Sequence, residues 1–434
     1  MKDDAMGIPV QVSVSRVGFY GWTNLVLLFL CYSLIYATIY YGYGVIFPAM
    51  LKAMNWARGD ASIAQTVRGL MLGFLAPFAA YMIGRYGAKK TILMGGSVVV
   101  IGLLVLGTLT DHLWTYIVSW GLIVGLGLSC CTQLAVNTNL TYWFSRRRSL
   151  AISIVSTGGS VGGFLAQPFL TWIIIQSGSW QMAWIAAAGL SLVGTIGIIW
   201  LKDKPADYGQ FPDGLSPERA KEAAARDAKR KVRTYRTTEA WSLKEAIRTR
   251  ALWVLMLYYF VFALTLALII SHGVLHITDL GYTRMQAAYA LGFVALAAGI
   301  GRIPIGFIAD LIEPRWIAVV LSLCTFFSII GFWKAPNMAV LITSVSVFGF
   351  CMGSGLVIAP AMIGNYYSPP AFASINGFMF PFHTGVAALV AVVAGYIHDF
   401  QKSYDMIIIA LLALGAAAFI ALLFFGAPPR KKLA

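Results

Sequence analysis

Apolar stretches of more than 18 residues recur from one end of this 434-residue sequence to the other. A stretch of that length can cross the hydrocarbon core of a bilayer as a helix. A hydrophobic fraction of 59%, with only 11% charged residues, excludes an ordinary soluble domain. Inside lipid, only helices and closed barrels satisfy every backbone polar group. The sequence therefore predicts an all-α, polytopic membrane protein.

Twelve membrane spans are predicted, arranged as two pseudo-symmetric six-helix bundles. They lie near 20–44, 61–83, 91–110, 114–142, 149–176, 180–201, 251–277, 284–311, 316–334, 338–366, 372–398 and 404–426. We assign 1–201 to an N-terminal bundle and 251–434 to a C-terminal bundle. The polar segment 202–250 is predicted to be a cytoplasmic linker with a surface helix, because it has too few apolar residues to form a core.

Lysine and arginine are concentrated on one side of this topology. Thirteen fall in 202–250, and clusters follow spans 2 and 4. The positive-inside rule then places both termini and the linker in the cytoplasm of a cell inner membrane. The net charge of +15 arises mainly from this asymmetry. The sequence has no soluble basic domain, so we predict no nucleic-acid partner. We expect the protein to be embedded in the lipid bilayer as a monomer.

The stretch from Ala295 to Asp310 is apolar apart from Arg302. If Asp310 marks the water-facing end, Arg302 lies about 12 Å deeper, near the middle of the membrane. A guanidinium there keeps its charge, and no acidic residue lies within two helical turns. One interpretation is pairing with backbone carbonyls in a packed bundle. The favoured one is a planar fork that binds the carboxylate of a ligand.

Other predicted spans carry aromatic or polar residues at helical spacing. These are Tyr32, Tyr36, Tyr40 and Tyr43 in span 1, Gln133, Asn137 and Thr141 in span 4, and Asn376, Phe380 and His383 in span 11. Polar groups on one face of a membrane helix need a partner helix or water. We therefore predict that Tyr32, Tyr36, Gln133, Asn137, Asn376 and His383 line a substrate cavity with Arg302.

Three more charged or titratable side chains lie in predicted spans. Arg68, about two turns into span 2, is predicted to snorkel to the outer interface, the alternative being an electropositive mouth that attracts anions. His272 and His276 lack a Glu or Cys at metal-binding spacing, so we interpret them as residues at the cavity mouth or interface. The five cysteines lie within spans and predict neither disulfides nor metal. No catalytic or phosphate-loop pattern appears, so we expect no enzyme and no cofactor.

The stretch from Tyr142 to Gly158 resembles the span-5 signature of the monocarboxylate transporter and oxalate–formate antiporter relatives within the major facilitator superfamily. It has an aromatic pair, basic residues, Ala151 and Gly158, with Ser153 where a glycine is expected. The motif G-F-Y-G-W at 18–22 and the loop G-R-Y-G-A-K-K at 84–90 are similar to further motifs of these families, with Val17 and Gly84 where acids are usual. The resemblance covers essentially the whole chain except 202–250.

The stretch G-R-I-P-I-G-F-I-A-D resembles the span-8 pattern whose arginine binds the substrate carboxylate, a role that maps onto Arg302. Ala298 stands where many monocarboxylate carriers have an aspartate, and 376–390 lacks the lysine of the oxalate carriers. The resemblance implies alternating-access transport of a small monocarboxylate such as lactate or pyruvate. An exchanger of carboxylates, including dicarboxylates, and a non-transporting receptor are the alternatives.

Coupling to protons needs a group that titrates near the substrate. All 17 Asp and Glu residues fall in loops or at span ends. We therefore predict symport with a proton carried by His383. The alternatives are a proton carried by the substrate itself and a packing or hydrogen-bonding role for His383. Gating is predicted to involve Arg85, Arg146 and Arg147 on the N-terminal bundle and Asp310 on the C-terminal bundle.

Overall fold

The fold was determined as a computed structural model, which describes residues 18–131, 133–144, 148–216, 218–219, 222, 234–235, 237, 239, 241–309, 311–367 and 369–425. These residues form helices and connecting turns, without a β-strand among them. The predicted all-α membrane fold is confirmed. Eleven helices in the described part are long and apolar enough to cross a membrane.

Most spans are single continuous helices. They are Arg148–Ser177 (span 5), Trp180–Gly197 (span 6), Arg250–Asp279 (span 7), Arg284–Ile308 (span 8), Pro314–Lys334 (span 9), Met338–Tyr367 (span 10), Pro369–Gln401 (span 11) and Asp405–Phe425 (span 12). Short helices flank the linker at Ile198–Trp200, Pro205–Tyr208, Pro212–Gly214 and Leu243–Ile247.

Spans 1 and 4 change helix type on the way. Span 1 consists of Gly21–Cys31, a π-helix at Tyr32–Ala37, and Thr38–Met54. Span 4 begins with Leu113–Tyr116, continues as a π-helix at Ile117–Val124, and ends with Gly125–Cys131 and Gln133–Trp143. Such π-helical turns are rare and are frequent at functional sites.

Span 2 is the crossing that length and composition alone do not identify. It starts at Arg58, breaks after Phe74, and resumes at Ala76. Pro77 cannot donate a hydrogen bond to the carbonyl four residues earlier, which accounts for the break. The helix Ala76–Thr108 is in turn interrupted at Gly87, whose φ of 85° is left-handed. Span 2 therefore ends there and span 3 follows as 88–108, which completes twelve spans.

The turn at Gly87 depends on its missing side chain. A Cβ atom at this position would lie 2.6 Å from Oδ2 of Asp203, beyond the end of span 6. The other oxygen of Asp203 accepts a hydrogen bond from the amide of Lys89 at 2.8 Å. The loop at 84–90 thus forms a tight turn, and it lies at the end of the molecule that carries the linker. We call this end the linker end and the opposite one the Arg58 end.

Glycines bring span 5 close to span 1 in the N-terminal bundle. A Cβ atom at Gly158 would lie 2.7 Å from the carbonyl oxygen of Phe29, and one at Gly162 would lie 2.5 Å from that of Ser33. Span 5 therefore packs tightly against span 1. In the C-terminal bundle, Gly353 of span 10 approaches the carbonyl of Ala298 in the same way. Span 8 is thereby held firmly against span 10.

The linker is attached to both bundles through its described residues. In the N-terminal bundle, the carbonyl of Lys202 accepts hydrogen bonds from Asn24, Asn139 and Trp143. On the C-terminal side, the amide of Tyr235 donates to Glu313 at 2.9 Å and that of Thr237 donates to the carbonyl of Asn365 at 2.9 Å. Each bundle therefore anchors its own end of the linker. The predicted surface helix falls mostly outside the described residues.

Large apolar side chains cover the outer surface of the spans. Examples are Ile101, Trp172, Val320 and Phe327, each more than half exposed. A soluble protein rarely presents so much contiguous apolar surface to water, whereas a bilayer solvates it. These faces are the lipid contact that the sequence predicts.

Candidate functional site

Arg302 lies in the interior, where span 8 meets span 5 of the other bundle. Its Nη1 donates a hydrogen bond to the carbonyl of Ser156 at 2.7 Å, and its side chain is half-buried. Gly299, one turn earlier, packs against Ser160 and allows this close approach. No carboxylate forms an ion pair with Arg302 in the part of the chain that the structure describes. One donor of the guanidinium is thus used by the backbone, and carboxylate binding remains chemically open to the others.

The tyrosines of span 1 form a stack of parallel rings. The ring of Tyr36 lies 4.7 Å from that of Tyr32 and 5.2 Å from that of Tyr40, with interplanar angles of 11° and 13°. The spacing of four residues explains this alignment. Side chains four positions apart lie on one face of a helix, one above the other, in the π-helical turn as in the α-helix that follows it. Tyr36 and Tyr40 are partly exposed, as expected for a face that borders a cavity.

Tyr43 does not belong to this stack. It is fully buried, and its ring lies 5.1 Å from that of Trp120 and 5.0 Å from that of Phe47. The prediction that all four tyrosines share one face is wrong for Tyr43, because three residues after Tyr40 the regular α-helix has turned its side chain towards span 4. Tyr43 is a packing residue of the N-terminal bundle.

Arg68 occupies the other end of the tyrosine stack. Its guanidinium lies 5.6 Å from the ring centre of Tyr40 and 5.3 Å from that of Trp120, and the residue is only 3% exposed. The predicted snorkelling to the interface is wrong. Span 2 starts at Arg58, so Arg68 lies about 15 Å into the helix, too deep for its side chain to reach water along the span.

Span 11 places His383 and Asn376 on the inner side of the C-terminal bundle. The ring of His383 stacks on that of Tyr259 of span 7, with 5.1 Å between centres. Its Nδ1 donates to the carbonyl of Met379 at 3.1 Å. Because a carbonyl only accepts, this bond makes Nδ1 the protonated nitrogen of the neutral ring. Asn376, two turns earlier, is partly exposed, whereas the side chain of Phe380 lies outside the described residues.

The polar face of span 4 is more open than the rest of the site. Gln133 is exposed, and Asn137 and Thr141 are partly exposed. The hydroxyl of Thr141 donates to the backbone carbonyl of Asn137, which leaves the amide side chain of Asn137 available. These residues lie between the tyrosine stack and the linker end, so they fit the entrance of a cavity better than its floor.

The Arg58 end of the molecule is closed by polar contacts between the bundles. Arg58 of span 2 forms a two-pronged ion pair with Asp279 of span 7. The backbone amides of Arg58 and Gly59 donate to the carboxylate of Asp399 at the end of span 11. Asp60 accepts a hydrogen bond from Tyr396 of span 11 at 2.8 Å. We call these residues the Arg58 latch.

His272 and Tyr404 continue the latch into the interior. His272 is 1% exposed, and its Nε2 lies 2.8 Å from the carbonyl of Ala391. That nitrogen must carry the proton, so Nδ1 accepts from the hydroxyl of Tyr404 at 3.0 Å. The same hydroxyl accepts from Arg58 at 2.8 Å, and burial raises the pKa of Tyr404 above its ordinary value. Tyr404 therefore stays protonated and bridges the two groups.

The prediction that His272 and His276 lie at the mouth or interface is also corrected. Both are buried, at 1% and 7% exposure, and Nε2 of His276 lies 3.3 Å from the carbonyl of Phe332. Sequence reasoning missed the latch as a unit. The available signal in the sequence was a set of acidic residues at the ends of several spans. Nothing in the sequence pairs these residues with Arg58.

No comparable contact joins the bundles at the linker end within the described residues. Among the described residues, the hydrogen bonds between the two bundles, other than that of Arg302, lie in the half of the membrane next to the latch. The interior site is thus closed towards the Arg58 end and less constrained towards the linker end. Of the predicted gating residues, Arg85 is exposed, and Arg146, Arg147 and Asp310 lie outside the described residues.

Two helical bundles around an interior site that is closed on one side define a multi-pass membrane transporter. The Major Facilitator Superfamily model matches residues 28–333 and 273–434, so the chain belongs to this superfamily. The solved structure of a mutant of the nucleoside transporter NupG is similar in fold, with a TM-score of 0.67 at 12% identity, and the match covers 94% of this chain and all of that one.

Curated relatives are distant in sequence. Monocarboxylate transporter 13 of Bos taurus is 24% identical over 95% of this chain and 92% of its own length. Monocarboxylate transporter 12 of Rattus norvegicus is 22% identical over 81% of this chain and 74% of its own length. The MFS transporter asaE of Aspergillus flavus is 23% identical over 80% of this chain and 73% of its own length. These comparisons confirm the predicted superfamily and the predicted resemblance to monocarboxylate transporters.

Proposed function

We propose that the protein is an alternating-access carrier of organic monocarboxylates, with Arg302 as the group that binds the carboxylate. The observation that carries the proposal is an interior guanidinium with a single bond, to a backbone carbonyl, and no ion-pair partner among the described residues. A buried cation without a counter-ion is expensive in a membrane protein and is functional by default. A carboxylate bound by the free donors would remove that penalty.

The surroundings of Arg302 support an organic rather than an inorganic anion. Tyr32 packs against Gly159 of span 5, one turn from the carbonyl that accepts from Arg302, and the stacked rings of span 1 offer an apolar wall. Asn137, Asn376 and His383 supply neutral polar groups on the opposite helices. Aromatic walls with a few convergent polar groups are typical of sites for small organic ligands. The names of the monocarboxylate transporter relatives agree with this class.

We further propose that transport is coupled to protons through His383, and that the linker end faces the cytoplasm. His383 is the only histidine placed away from the Arg58 latch and inside a described span. Under this proposal the carrier rests with its cytoplasmic side open. Asp310, with Arg85, Arg146 and Arg147, would then close that side when the latch opens.

Counterflow in proteoliposomes tests the carrier hypothesis. Vesicles containing the purified protein are preloaded with one carboxylate, and entry of a labelled carboxylate is measured over a panel that includes lactate and pyruvate. A carrier gives transient accumulation of the labelled anion. A receptor gives binding without accumulation in every pairing, and that outcome would exclude transport.

A further inference from the structure

Arg68 is a second interior guanidinium, which the proposed carboxylate site at Arg302 leaves unexplained. Its Nε donates to Oε1 of Gln65 at 3.0 Å. Its Nη1 is completely buried and has no hydrogen-bond partner among the described residues. The indole of Trp120 donates to the same Gln65 oxygen at 2.9 Å, so this acceptor has both lone pairs engaged. Arg68 therefore has donors that nothing in the described protein satisfies.

The charge of Arg68 is also uncompensated. The two ion pairs among the described residues both involve Asp279 of the Arg58 latch. The latch lies about 15 Å from Arg68, measured along the axis of span 2. Cation–π contacts with Tyr40 and Trp120 attract the guanidinium but supply neither a counter-charge nor an acceptor for its unpaired donor. A guanidinium withdrawn from water without a counter-charge is unfavourable. An anionic ligand would supply both the charge and the acceptor.

The position of Arg68 relative to Arg302 defines the length of such a ligand. The tyrosine stack runs between them. At one end Tyr32 packs against Gly159, one turn along span 5 from Ser156, whose carbonyl accepts from Arg302. At the other end Arg68 lies against Tyr40. The ring of Tyr36 lies 4.7 Å from that of Tyr32 and 5.2 Å from that of Tyr40, so the two outer rings are at most about 10 Å apart. Counted along their helices from the Arg58 end, Arg68 lies about 15 Å and Arg302 about 27 Å deep, so Arg302 is the nearer of the two to the linker end.

We propose that Arg68 is a second anion subsite and that the carrier accepts extended dicarboxylates. One carboxylate binds Arg302, the other binds Arg68, and the apolar middle of the ligand lies along the rings of Tyr32, Tyr36 and Tyr40. This inference rests on the proposed function, because it requires the first carboxylate at Arg302. A monocarboxylate fills the Arg302 end alone, and succinate, with only two methylene groups between its acid groups, is shorter than the tyrosine stack.

The test compares suberate with monomethyl suberate on the purified full-length protein by calorimetric titration. The two probes have the same chain length, and only one acid group differs between them. We expect wild-type protein to bind suberate at least about tenfold more tightly. In Arg68→Gln the ratio should fall to about one. Succinate against monomethyl succinate should show no such preference in any variant. Arg284→Gln, which removes a cation at the start of span 8, is the matched control and should keep the wild-type ratio.

Arg68→Met provides a second variant if the glutamine variant fails to fold. Methionine fills a similar volume without a charge, so the ligand-free variant should melt at a higher temperature than wild type. Its suberate preference should be lost as in Arg68→Gln. A wild-type ratio near one, or a ratio that either variant leaves unchanged, would overturn the dicarboxylate inference.

Arg302→Gln separates this inference from the proposed function. If it abolishes binding of all carboxylates while wild type shows no preference for suberate, the Arg302 site stands and only the Arg68 subsite falls. If carboxylates bind Arg302→Gln as well as wild type, the proposed function falls and the Arg68 inference falls with it.

Discussion

Arg58 and Asp279 are 221 residues apart in the sequence and form a two-pronged ion pair, with Nη1–Oδ2 at 2.8 Å and Nη2–Oδ1 at 3.1 Å. The pair joins span 2 of one bundle to span 7 of the other. The two carboxylate oxygens are matched to the two nitrogens of one guanidinium, a geometry that lysine cannot reproduce. Opening the Arg58 end of the transporter therefore requires this pair to separate.

Breaking the ion pair should shift the protein towards the conformation open at the Arg58 end. The side chains are 20% and 39% exposed, so we expect a change of roughly 1 kcal/mol for Arg58→Gln or Asp279→Asn, about fivefold in population. Spin labels at Lys52→Cys and Gln401→Cys report the distance between the bundles at this end, and longer distances should gain population. Lys334→Gln removes a cation at the same end that packs on Trp333 within one bundle, and should change nothing. Identical distance distributions in all variants would show that the pair does not hold the latch.

Tyr404→Phe should weaken the latch by a different route. It removes the hydroxyl that accepts from Arg58 and donates to His272, and leaves the buried Nδ1 of His272 unpaired. An unsatisfied buried group costs about 1–3 kcal/mol, so the melting temperature of the purified protein should fall. The control is Tyr282→Phe, whose hydroxyl makes one bond to the carbonyl of Ala335 within the same bundle. A fall no larger than that of the control would argue against the bridging role.

Gly87→Ala should destabilise the turn between spans 2 and 3. The new Cβ would meet Asp203 at 2.6 Å, and alanine also disfavours a φ of 85°. We expect a loss of about 1–3 kcal/mol, measured as a lower melting temperature. Gly84→Ala, three residues earlier, has open space around its Cβ and lies in a helix, so it should be neutral or stabilising. Equal effects of the two substitutions would contradict the assigned turn.

Arg302 variants test the carboxylate site directly. Arg302→Lys keeps the charge but loses the planar fork, so we expect most counterflow to be lost. Arg302→Ala should abolish carboxylate binding in a protein that still folds, because the substitution removes one hydrogen bond, to the carbonyl of Ser156, and no ion pair among the described residues. Normal elution on gel filtration provides the folding control. Uptake close to wild type in Arg302→Ala would refute the assignment.

His383→Gln tests proton coupling separately from binding. Glutamine can keep a polar side chain beside Tyr259 but cannot titrate. We expect the variant to exchange carboxylates in counterflow but to lose accumulation driven by an inward proton gradient. A variant that accumulates substrate like the parent would show that another group carries the proton. A parent that ignores the gradient would identify a uniporter or exchanger.

The sequence was sufficient to predict the fold, because the length of the apolar stretches shows where the chain crosses the membrane and lipid requires the crossings to be helical. It also predicted the stacked face of Tyr32 and Tyr36, which depends only on spacing within one helix. Arg68 was misplaced for a local reason. Span 2 was expected to start at Ala61, and the earlier start at Arg58 moves Arg68 about one turn deeper, from the interface into the interior.

Contacts between distant spans could not be predicted in the same way. Asp279, Asp399 and Tyr404 all bind Arg58, yet each is more than 200 positions away in the sequence. Hydropathy gives the depth of a residue but not the direction in which its side chain points around the helix. The latch depends on both, and on the way in which the two bundles meet.

The π-helix of span 1 also says what a shorter relative would look like. A π-helical turn contains one residue more than an α-helical turn, so a sequence lacking one residue between Tyr32 and Ala37 could continue as an ordinary α-helix. The tyrosines would then be spaced by three and four residues, and positions i, i+3 and i+7 still lie on one face of an α-helix. Within the superfamily, the length of this segment should therefore vary by one residue without loss of the aromatic wall, provided that the spacing of the aromatic residues changes with it.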